Sequence, residues 1–205
     1  MVFAKAPTPG SVKTRLIPAL GETAAAELHR QLVVRTLRTA LAAAVGPVEL
    51  WCAPDARDPF FADCAEQFGV RLRNQGEGDV GARMACALGV ALAEGSPALL
   101  IGSDCPVLTA AYLREAAAAC AGGDHAVFGP AEDGGYVLIG LACSPSPKLF
   151  DNIAWGGATV MRETRIRLSR LGWRWTELET LWDVDRPEDM PRLHRLRAET
   201  PVDRK

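Results

Sequence analysis

Three cationic side chains, Lys5, Lys13 and Arg15, lie in and beside a segment rich in proline and glycine near the start of the chain. Cations of this kind suit a di- or triphosphate, because they neutralise its charge and a guanidinium can bind two oxygens at once. The segment is not a P-loop, since Val12 stands where a P-loop has the glycine that precedes its lysine. We expect these cations, together with Gly10, to bind the phosphates of a nucleotide. The alternative is an ordinary turn with solvated charges.

A carboxylate follows a short apolar stretch in the middle of the chain. Asp104 comes just after residues 98–102, which read ALLIG. Ligands of open α/β sheets collect at the carboxyl ends of parallel strands. Mg²⁺ that binds with a nucleotide commonly takes one or two protein carboxylates and completes its shell with phosphate and water oxygens. We therefore expect Asp104 to bind Mg²⁺ or Mn²⁺ and to take part in catalysis, the alternative being a cap for the turn at Pro106.

Two further carboxylates stand near the end of the chain, in the segment WDVDRPED at 182–189. If this segment is extended, Asp183 and Asp185 point to the same side. Asp185 also has the spacing of a capping box with Glu188 at the start of a last helix, which would explain it structurally. Asp183 has no such explanation and is the better candidate for a second metal ligand, with Asp185 beside it.

Two glycine-rich loops complete the candidate site. The segment at 129–136, GPAEDGGY, is typical of a hairpin loop, and it could also place Glu132 or Asp133 against acceptor hydroxyls. We assign Asp133 to orienting or deprotonating an acceptor hydroxyl. The segment at 76–81, GEGDVG, could wrap a base or ribose, and we assign Gly81 and Arg83 to the nucleotide. In both cases the alternative is a plain loop.

The elements that must position these residues alternate along the chain. Strands are predicted at 2–4, 48–53, 70–73, 98–102, 125–129, 136–141 and 173–178, and helices at 22–45, 59–68, 82–93, 110–121, 158–171 and from about 187. Strand and helix alternate at first, and a strand-turn-strand pattern follows. This order predicts an α/β fold, a three-layer α/β/α sandwich around a mixed, mostly parallel sheet. Because no linker or repeat divides the chain, we expect one domain over 1–205.

Composition excludes several classes of protein. With 23 Lys and Arg against 25 Asp and Glu, the net charge of −2 argues against a partner that is a nucleic acid polymer. No apolar run is long enough to span a membrane, and the first residues lack the pattern of a signal peptide. The six cysteines form no C-x-x-C pair and are expected to be reduced thiols, which favours a cytoplasmic protein. His29 falls on a predicted helix and needs no catalytic role, whereas Trp155 is expected near a pocket.

Taken together, the motifs resemble those of a known family. They are FAKAPTPGSVKTRL at 3–16, GSDCP at 102–106, GPAEDGGYVLIGL at 129–141 and DVDRPED at 183–189. In type and order they are similar to the bacterial glycosyltransferases of the radical-SAM/selenodomain-associated, or arsenosugar-biosynthesis, type. Those belong to the nucleotide-diphospho-sugar transferase superfamily with the GT-A fold, whose sister families include molybdenum-cofactor guanylyltransferases. The resemblance implies that the first loop holds nucleotide phosphates and that Asp104 holds a divalent metal with help from Asp183 or Asp185.

The function expected from this resemblance is a transferase that depends on Mg²⁺ or Mn²⁺ and moves a sugar from a nucleotide sugar to a small-molecule acceptor. Lys13 and Arg15 would neutralise the diphosphate. One alternative is a nucleotidyltransferase that joins an NTP to a phosphorylated or acidic small acceptor and releases pyrophosphate. Another is a nucleotide-binding partner module without turnover. In a chain of this length the acceptor must bind at the same sheet edge or at a second subunit, as in a homodimer.

Overall fold

The computed structural model describes residues 1–95 and 97–199 of the chain. Within them, the strands are β1 (Val2–Lys5), β2 (Glu49–Ala53), β3 (Arg71–Asn74), β4 (Ala98–Ile101), β5 (Ala126–Pro130), β6 (Tyr136–Leu141) and β7 (Trp175–Glu177). They form a seven-stranded sheet in the order β3-β2-β1-β4-β6-β5-β7. Strand β6 runs antiparallel to both of its neighbours, and the other neighbouring strands pair in parallel. The predicted mixed, mostly parallel sheet is therefore confirmed.

Helices cover both faces of this sheet. They are α1 (Ile17–Leu20), α2 (Glu22–Ala43), α3 (Pro59–Phe68), α4 (Val80–Ala93), α5 (Ala110–Ala121), α6 (Pro147–Phe150), α7 (Val160–Leu171) and α8 (Met190–Glu199). One core cluster joins the sheet to α2, α3 and α5, and a second joins it to α4, α6 and α7. A third cluster lies between α2 and α8. The three-layer α/β/α sandwich expected from the sequence is confirmed.

The apolar sequence of β4 follows from its place in the middle of the sheet. Leu100 belongs to the core cluster on one face and Ile101 to the cluster on the other. A strand with helices packed on both faces must bury both sets of its side chains, so it shows no alternation of polar and apolar residues. Gly102, Ser103 and Asp104 follow β4 directly and start at the carboxyl edge of the sheet.

Several element boundaries differ from the predicted ones. Helix α2 ends at Ala43, because Ala44 adopts a left-handed conformation with φ of 53° and Gly46 follows. Residues 14–20 form a short 3₁₀ turn and α1, and residues 147–150 form α6; none of these was predicted from the sequence. The single domain predicted over 1–205 includes residue 96 and residues 200–205, which lie outside the described residues. In the described part of the chain, no helix is long and apolar enough to cross a membrane.

Candidate functional site

A cleft of about 400 Å³ opens at the carboxyl edge of the sheet, where β1 and β4 end. Its walls come from the first loop (residues 11–15), from the ends of these two strands, and from His29, Gln75 and Asp185. A larger cavity of about 760 Å³ lies at the opposite, amino edge and contains none of the predicted site residues. Because ligands of open α/β sheets bind at the carboxyl ends of the strands, the smaller cleft is the candidate site.

Lys13 is turned toward the protein rather than toward solvent. Its backbone is left-handed, with φ of 49°, and its side chain is only 3% exposed. Nζ donates a hydrogen bond to the Val184 carbonyl at 2.5 Å and lies 2.7 Å from Oδ1 of Asp104. The charge of Lys13 is thus directed at Asp104, and its predicted role of neutralising a substrate diphosphate stays a prediction. In the structure, Lys13 holds the carboxylate of Asp104 in place.

Asp104 presents one oxygen to the protein and can present the other to the cleft. Oδ1 is buried, although 45% of the side chain is exposed, so Oδ2 is the carboxylate oxygen that can face the cleft. Burial would raise the pKa of Asp104, but Lys13 and His29 outweigh it and hold that pKa well below its ordinary value. The carboxylate is therefore ionised near neutral pH and able to attract a cation.

The first loop lines the same cleft and carries unbonded backbone donors. The amide of Ser11 donates to the Thr8 carbonyl. Among the described residues, the amides of the next four positions, 12–15, have no hydrogen-bond acceptor. A run of such amides suits an anion such as phosphate. Gly10 shapes the turn with φ of 79° but does not line the cleft.

Lys5 and Arg15 both line the cleft, but they differ in whether their charge is already in an ion pair. The ammonium of Lys5 is exposed and has no ion-pair partner in the described part of the chain. Arg15 is paired with Asp185 across the rim. Oδ2 of Asp189 accepts hydrogen bonds from the amides of Asp185, at 2.9 Å, and Arg186, at 2.7 Å. The N-cap is Arg186 with Asp189 as its partner, one residue later than the predicted box of Asp185 with Glu188. Lys5 is thus the cation that is available to a ligand without breaking a contact.

Asp183 lies close to two other carboxylates. Its own burial and the charges of Asp133 and Asp104 raise its pKa to about 6, and Lys13 offsets this only in part. Such an excess of negative charge fits a cation. No group of three or more His, Cys, Asp or Glu side chains within residues 1–95 and 97–199 is spaced to hold a metal. A metal bound by Asp104 and Asp183 would therefore need ligands from its substrate and from water.

Asp133, Gly81 and Arg83 lie outside the wall of the cleft. Oδ1 of Asp133 accepts a hydrogen bond from the Gly135 amide at 2.8 Å, and the side chain is exposed. Gly81 packs beneath Trp155, where an added Cβ would come within 2.4 Å of the ring. Nε of Arg83 donates to the Gly78 carbonyl at 3.0 Å. Gly81 and Arg83 thus contact their own region of the chain, and their assignment to the nucleotide stays a prediction.

Gln75 and His29 are two cleft residues to which the sequence analysis gave no role. Gln75 is 6% exposed, and its Nε2 donates to the carbonyls of Ala4 at 3.1 Å and Trp51 at 2.9 Å. Its Oε1 is then the polar atom that can face the cleft. A glutamine two residues after a predicted strand was the available signal for Gln75. For His29, the signal was a polar residue within the apolar stripe of a helix.

Comparison with known proteins agrees with this architecture. Residues 36–157 match the family described as "Uncharacterized protein conserved in bacteria (DUF2064)". The chain belongs to this family. It is similar, at 31% identity and a TM-score of 0.87, to the crystal structure of a proposed nucleotide-diphospho-sugar transferase from Desulfovibrio desulfuricans G20. That match covers 100% of this chain and 89% of the other. No curated protein matches this chain in sequence.

Two more distant structures share the fold of this family member. A cytidylyltransferase from Leptospira borgpetersenii has a TM-score of 0.62 at 12% identity, with 98% of this chain and 86% of that chain covered. A nucleotidyl transferase from Methanothermobacter thermautotroptrophicus has a TM-score of 0.62 at 20% identity, with 96% and 97% covered. The structure is thus of the GT-A-like nucleotide-diphospho-sugar transferase type.

Proposed function

We propose that this chain is a transferase that binds a nucleotide sugar at the carboxyl edge of its sheet and passes the sugar to a small acceptor. The observation that carries the proposal is the cleft in which the unbonded amides of residues 12–15 stand beside the Asp104 carboxylate. Donors for phosphate and a carboxylate for its counter-cation are the two parts that a metal-bound diphosphate needs. The name of the Desulfovibrio protein, a proposed nucleotide-diphospho-sugar transferase, also supports it.

The diphosphate would contact the first loop. Its oxygens would accept hydrogen bonds from the free amides and from Lys5, and Arg15 would contribute if it left Asp185. In the same cleft, Oε1 of Gln75 would accept a hydrogen bond from a donor on the base. The neighbouring Val80 is 42% exposed and lines the cleft, so it would pack against the base or ribose.

The carboxylates would hold a divalent metal with the diphosphate. Asp104 and Asp183 are the two candidates, and Asp185 would join them only if its pair with Arg15 opened. Mg²⁺ or Mn²⁺ would supply positive charge to the leaving phosphate. Asp133 stands near Asp183, and its second oxygen would orient or accept the proton of an acceptor hydroxyl.

The acidic surroundings of Asp183 favour glycosyl transfer over nucleotidyl transfer to a phosphorylated or acidic acceptor. Burial, and then the charges of Asp133 and Asp104, raise the pKa of Asp183 to about 6, and the cation that opposes this shift, Lys13, is held by Asp104. An anionic acceptor that approached this end would be repelled. The order of the four motifs supports the finer proposal that this chain is one of the radical-SAM-associated glycosyltransferases.

A ligand panel tests the proposal. Thermal unfolding would be recorded with nucleotides and nucleotide sugars, each with and without Mg²⁺ or Mn²⁺, because a ligand specific for the folded state raises the midpoint. The best ligand would be titrated calorimetrically into Lys5→Met, for which we expect affinity about tenfold weaker than wild type. The exposed Lys148 lies away from the cleft, so Lys148→Met is the matched control.

Product analysis then separates the reactions. Release of a nucleoside diphosphate from a nucleotide sugar supports glycosyl transfer, whereas release of pyrophosphate from an NTP would establish the nucleotidyltransferase instead. Binding without consumption of any donor would favour a partner module. A panel in which no compound raises the unfolding midpoint would contradict nucleotide binding altogether.

A further inference from the structure

Arg15 and Asp185 form an ion pair between two walls of the cleft. Nη1 of Arg15 donates to Oδ2 of Asp185, and both residues line the cleft. Arg15 belongs to the first loop and Asp185 to the segment that leads into α8, so the contact joins positions that are 170 residues apart. The two side chains are 56% and 35% exposed, and a solute in the cleft can therefore reach both charges.

The two members of the pair differ in how firmly they are held. The amide of Asp185 donates to Oδ2 of Asp189 at 2.9 Å, and the neighbouring Val184 amide donates to the carbonyl of Asp104 at 2.9 Å, so this backbone is fixed. The guanidinium of Arg15 ends a long side chain, and its contact with Asp185 is its one hydrogen bond within the described residues. Because exposed ion pairs are weak, a ligand that offers Arg15 another partner can open this one.

The pair leaves little free positive charge in the cleft. Lys13 is held by Asp104 and Arg15 by Asp185. Among the lysine and arginine side chains that line the cleft in the described part of the chain, Lys5 is then the one without an ion-pair partner. A diphosphate without a metal would meet two carboxylates and one free cation. A diphosphate with a divalent cation brings positive charge for the carboxylates, and its oxygens can bind a guanidinium at two points.

We propose that the pair of Arg15 and Asp185 makes the cleft selective for a diphosphate that carries a divalent cation. Only such a ligand supplies a new partner to both members of the pair: phosphate oxygens to Arg15 and the metal to Asp185. A bare diphosphate would free Arg15 and leave an unpaired carboxylate beside its own negative charge. This inference rests on the proposed function of the cleft and adds the form in which the nucleotide binds. Asp185 is accordingly a specificity residue.

A double-mutant cycle tests the proposal. Asp185→Asn frees the guanidinium and keeps the shape of the side chain, Arg15→Met removes the guanidinium, and the third variant combines both. The probe is pyrophosphate, with Mn²⁺ or with a chelator in place of the metal, and binding is measured by titration calorimetry. Measurements at physiological ionic strength screen charges that lie more than about 8 Å away. Asp63→Asn, at an exposed position outside the cleft, controls for the loss of one negative charge.

Asp185→Asn should gain affinity for the bare anion. We expect it to bind pyrophosphate without metal about fivefold more tightly than wild type, because Arg15 is free to contact the anion. With Mn²⁺ the gain should be less than about twofold, since a carboxylate is lost as well. Asp185→Asn should also gain less than about twofold without metal when Arg15 is already methionine. Asp63→Asn should bind both forms as wild type does. A folding defect does not produce a gain in affinity, so partial unfolding cannot imitate this result.

Three results would overturn the inference. They are a metal-free affinity of Asp185→Asn no higher than that of wild type, a gain of equal size in the Arg15→Met background, and a gain of equal size with Mn²⁺. In each case wild type that still binds Mn²⁺ with pyrophosphate leaves the proposed function intact. If wild type and Asp185→Asn bind pyrophosphate in neither form, and no nucleotide binds with metal, the proposed function fails and the inference fails with it.

Discussion

The ammonium of Lys13 lies 2.7 Å from Oδ1 of Asp104, and this contact joins the loop after β1 to the loop after β4. A second connection runs from Nζ of Lys13 to the carbonyl of Val184. Three segments that are distant in sequence therefore meet at one buried cation. The arrangement fixes the carboxylate before any ligand arrives, which is what a preorganised binding site requires.

Replacement of Lys13 by methionine should destabilise the protein. Lys13→Met keeps the volume and the backbone conformation of the residue but leaves the buried oxygen of Asp104 without its cation. Loss of one partner of a fully buried ion pair costs about 3–5 kcal/mol, and the partial exposure of Asp104 lowers our expectation to about 2–3 kcal/mol. Urea denaturation at pH 7 measures this change in the free energy of unfolding.

The matched control for that measurement is the exposed pair at the rim. Arg15→Met breaks the contact with Asp185, and an exposed ion pair of this kind contributes up to about 1 kcal/mol. Equal losses in the two variants would show that the contact with Asp104 is no more important than a surface pair.

Stability should depend on pH through Asp183. Folding raises the pKa of this carboxyl from its ordinary value of 3.8 to about 6, chiefly through burial and then through the charges of Asp133 and Asp104. The folded protein therefore binds this proton more tightly than the unfolded chain does, so the free energy of unfolding falls as pH rises through this interval. Asp183→Asn removes the penalty and should stabilise the protein by about 1–2 kcal/mol at pH 7.5.

The stabilisation expected of Asp183→Asn should vanish at low pH. At pH 4 the wild-type carboxyl is largely protonated in the folded protein, so the two proteins should unfold at similar urea concentrations. Asp63→Asn, at an exposed position on α3, controls for the general loss of one negative charge. A difference between wild type and Asp183→Asn that stays constant from pH 4 to pH 7.5 would argue against an uncompensated carboxylate at this position.

The order of the elements could be predicted from the sequence because it depends on patterns of apolar and turn residues within short segments. Residues 98–101 are apolar without alternation because helices pack on both faces of β4. The turn at 133–135 joins two strands that do pair antiparallel. Helix α6 was missed because four residues carry no periodic pattern, and α1 was missed for the same reason.

The partners within the site could not be predicted, because they depend on contacts between distant segments. A lysine in a glycine-rich loop reads as a phosphate ligand, and only the folded chain shows that Lys13 faces Asp104. Gly81 reads as a site for close approach of a ligand, and that approach is made by Trp155. His29 reads as a residue of a helix face, since nothing local reveals that this face meets the end of β4.

The contact between Gly81 and Trp155 makes a prediction of its own. Gly81→Ala would place Cβ within 2.4 Å of the indole ring, so the ring must move, at a cost of about 1–3 kcal/mol. Gly89→Ala in the same helix is the control, because its Cβ would meet Pro145 at an ordinary 3.6 Å. Alanine is the better helix former, so Gly89→Ala should be neutral or stabilising by up to about 1 kcal/mol. Thermal unfolding of both variants is the measurement, and a Gly81→Ala protein as stable as Gly89→Ala would disprove the tight contact.

The amide of Gln75 should be irreplaceable by a carboxylate. Its Nε2 donates to the carbonyls of Ala4 and Trp51, so Gln75→Glu would set a third oxygen against two acceptors that have lost their donor. We expect the free energy of unfolding to fall by about 2–4 kcal/mol at pH 7, because two hydrogen bonds are broken and two carbonyls are left unsatisfied. Repulsion and burial should raise the pKa of the new carboxyl on folding, so the loss should shrink as pH falls and the group gains a proton. Gln75→Met removes the same donor without adding charge, and its loss should not vary with pH. The measurement is the urea midpoint of both variants at pH 4.5 and pH 7.5. If the midpoints of the two variants change with pH in the same way, the side-chain amide does not donate to these carbonyls.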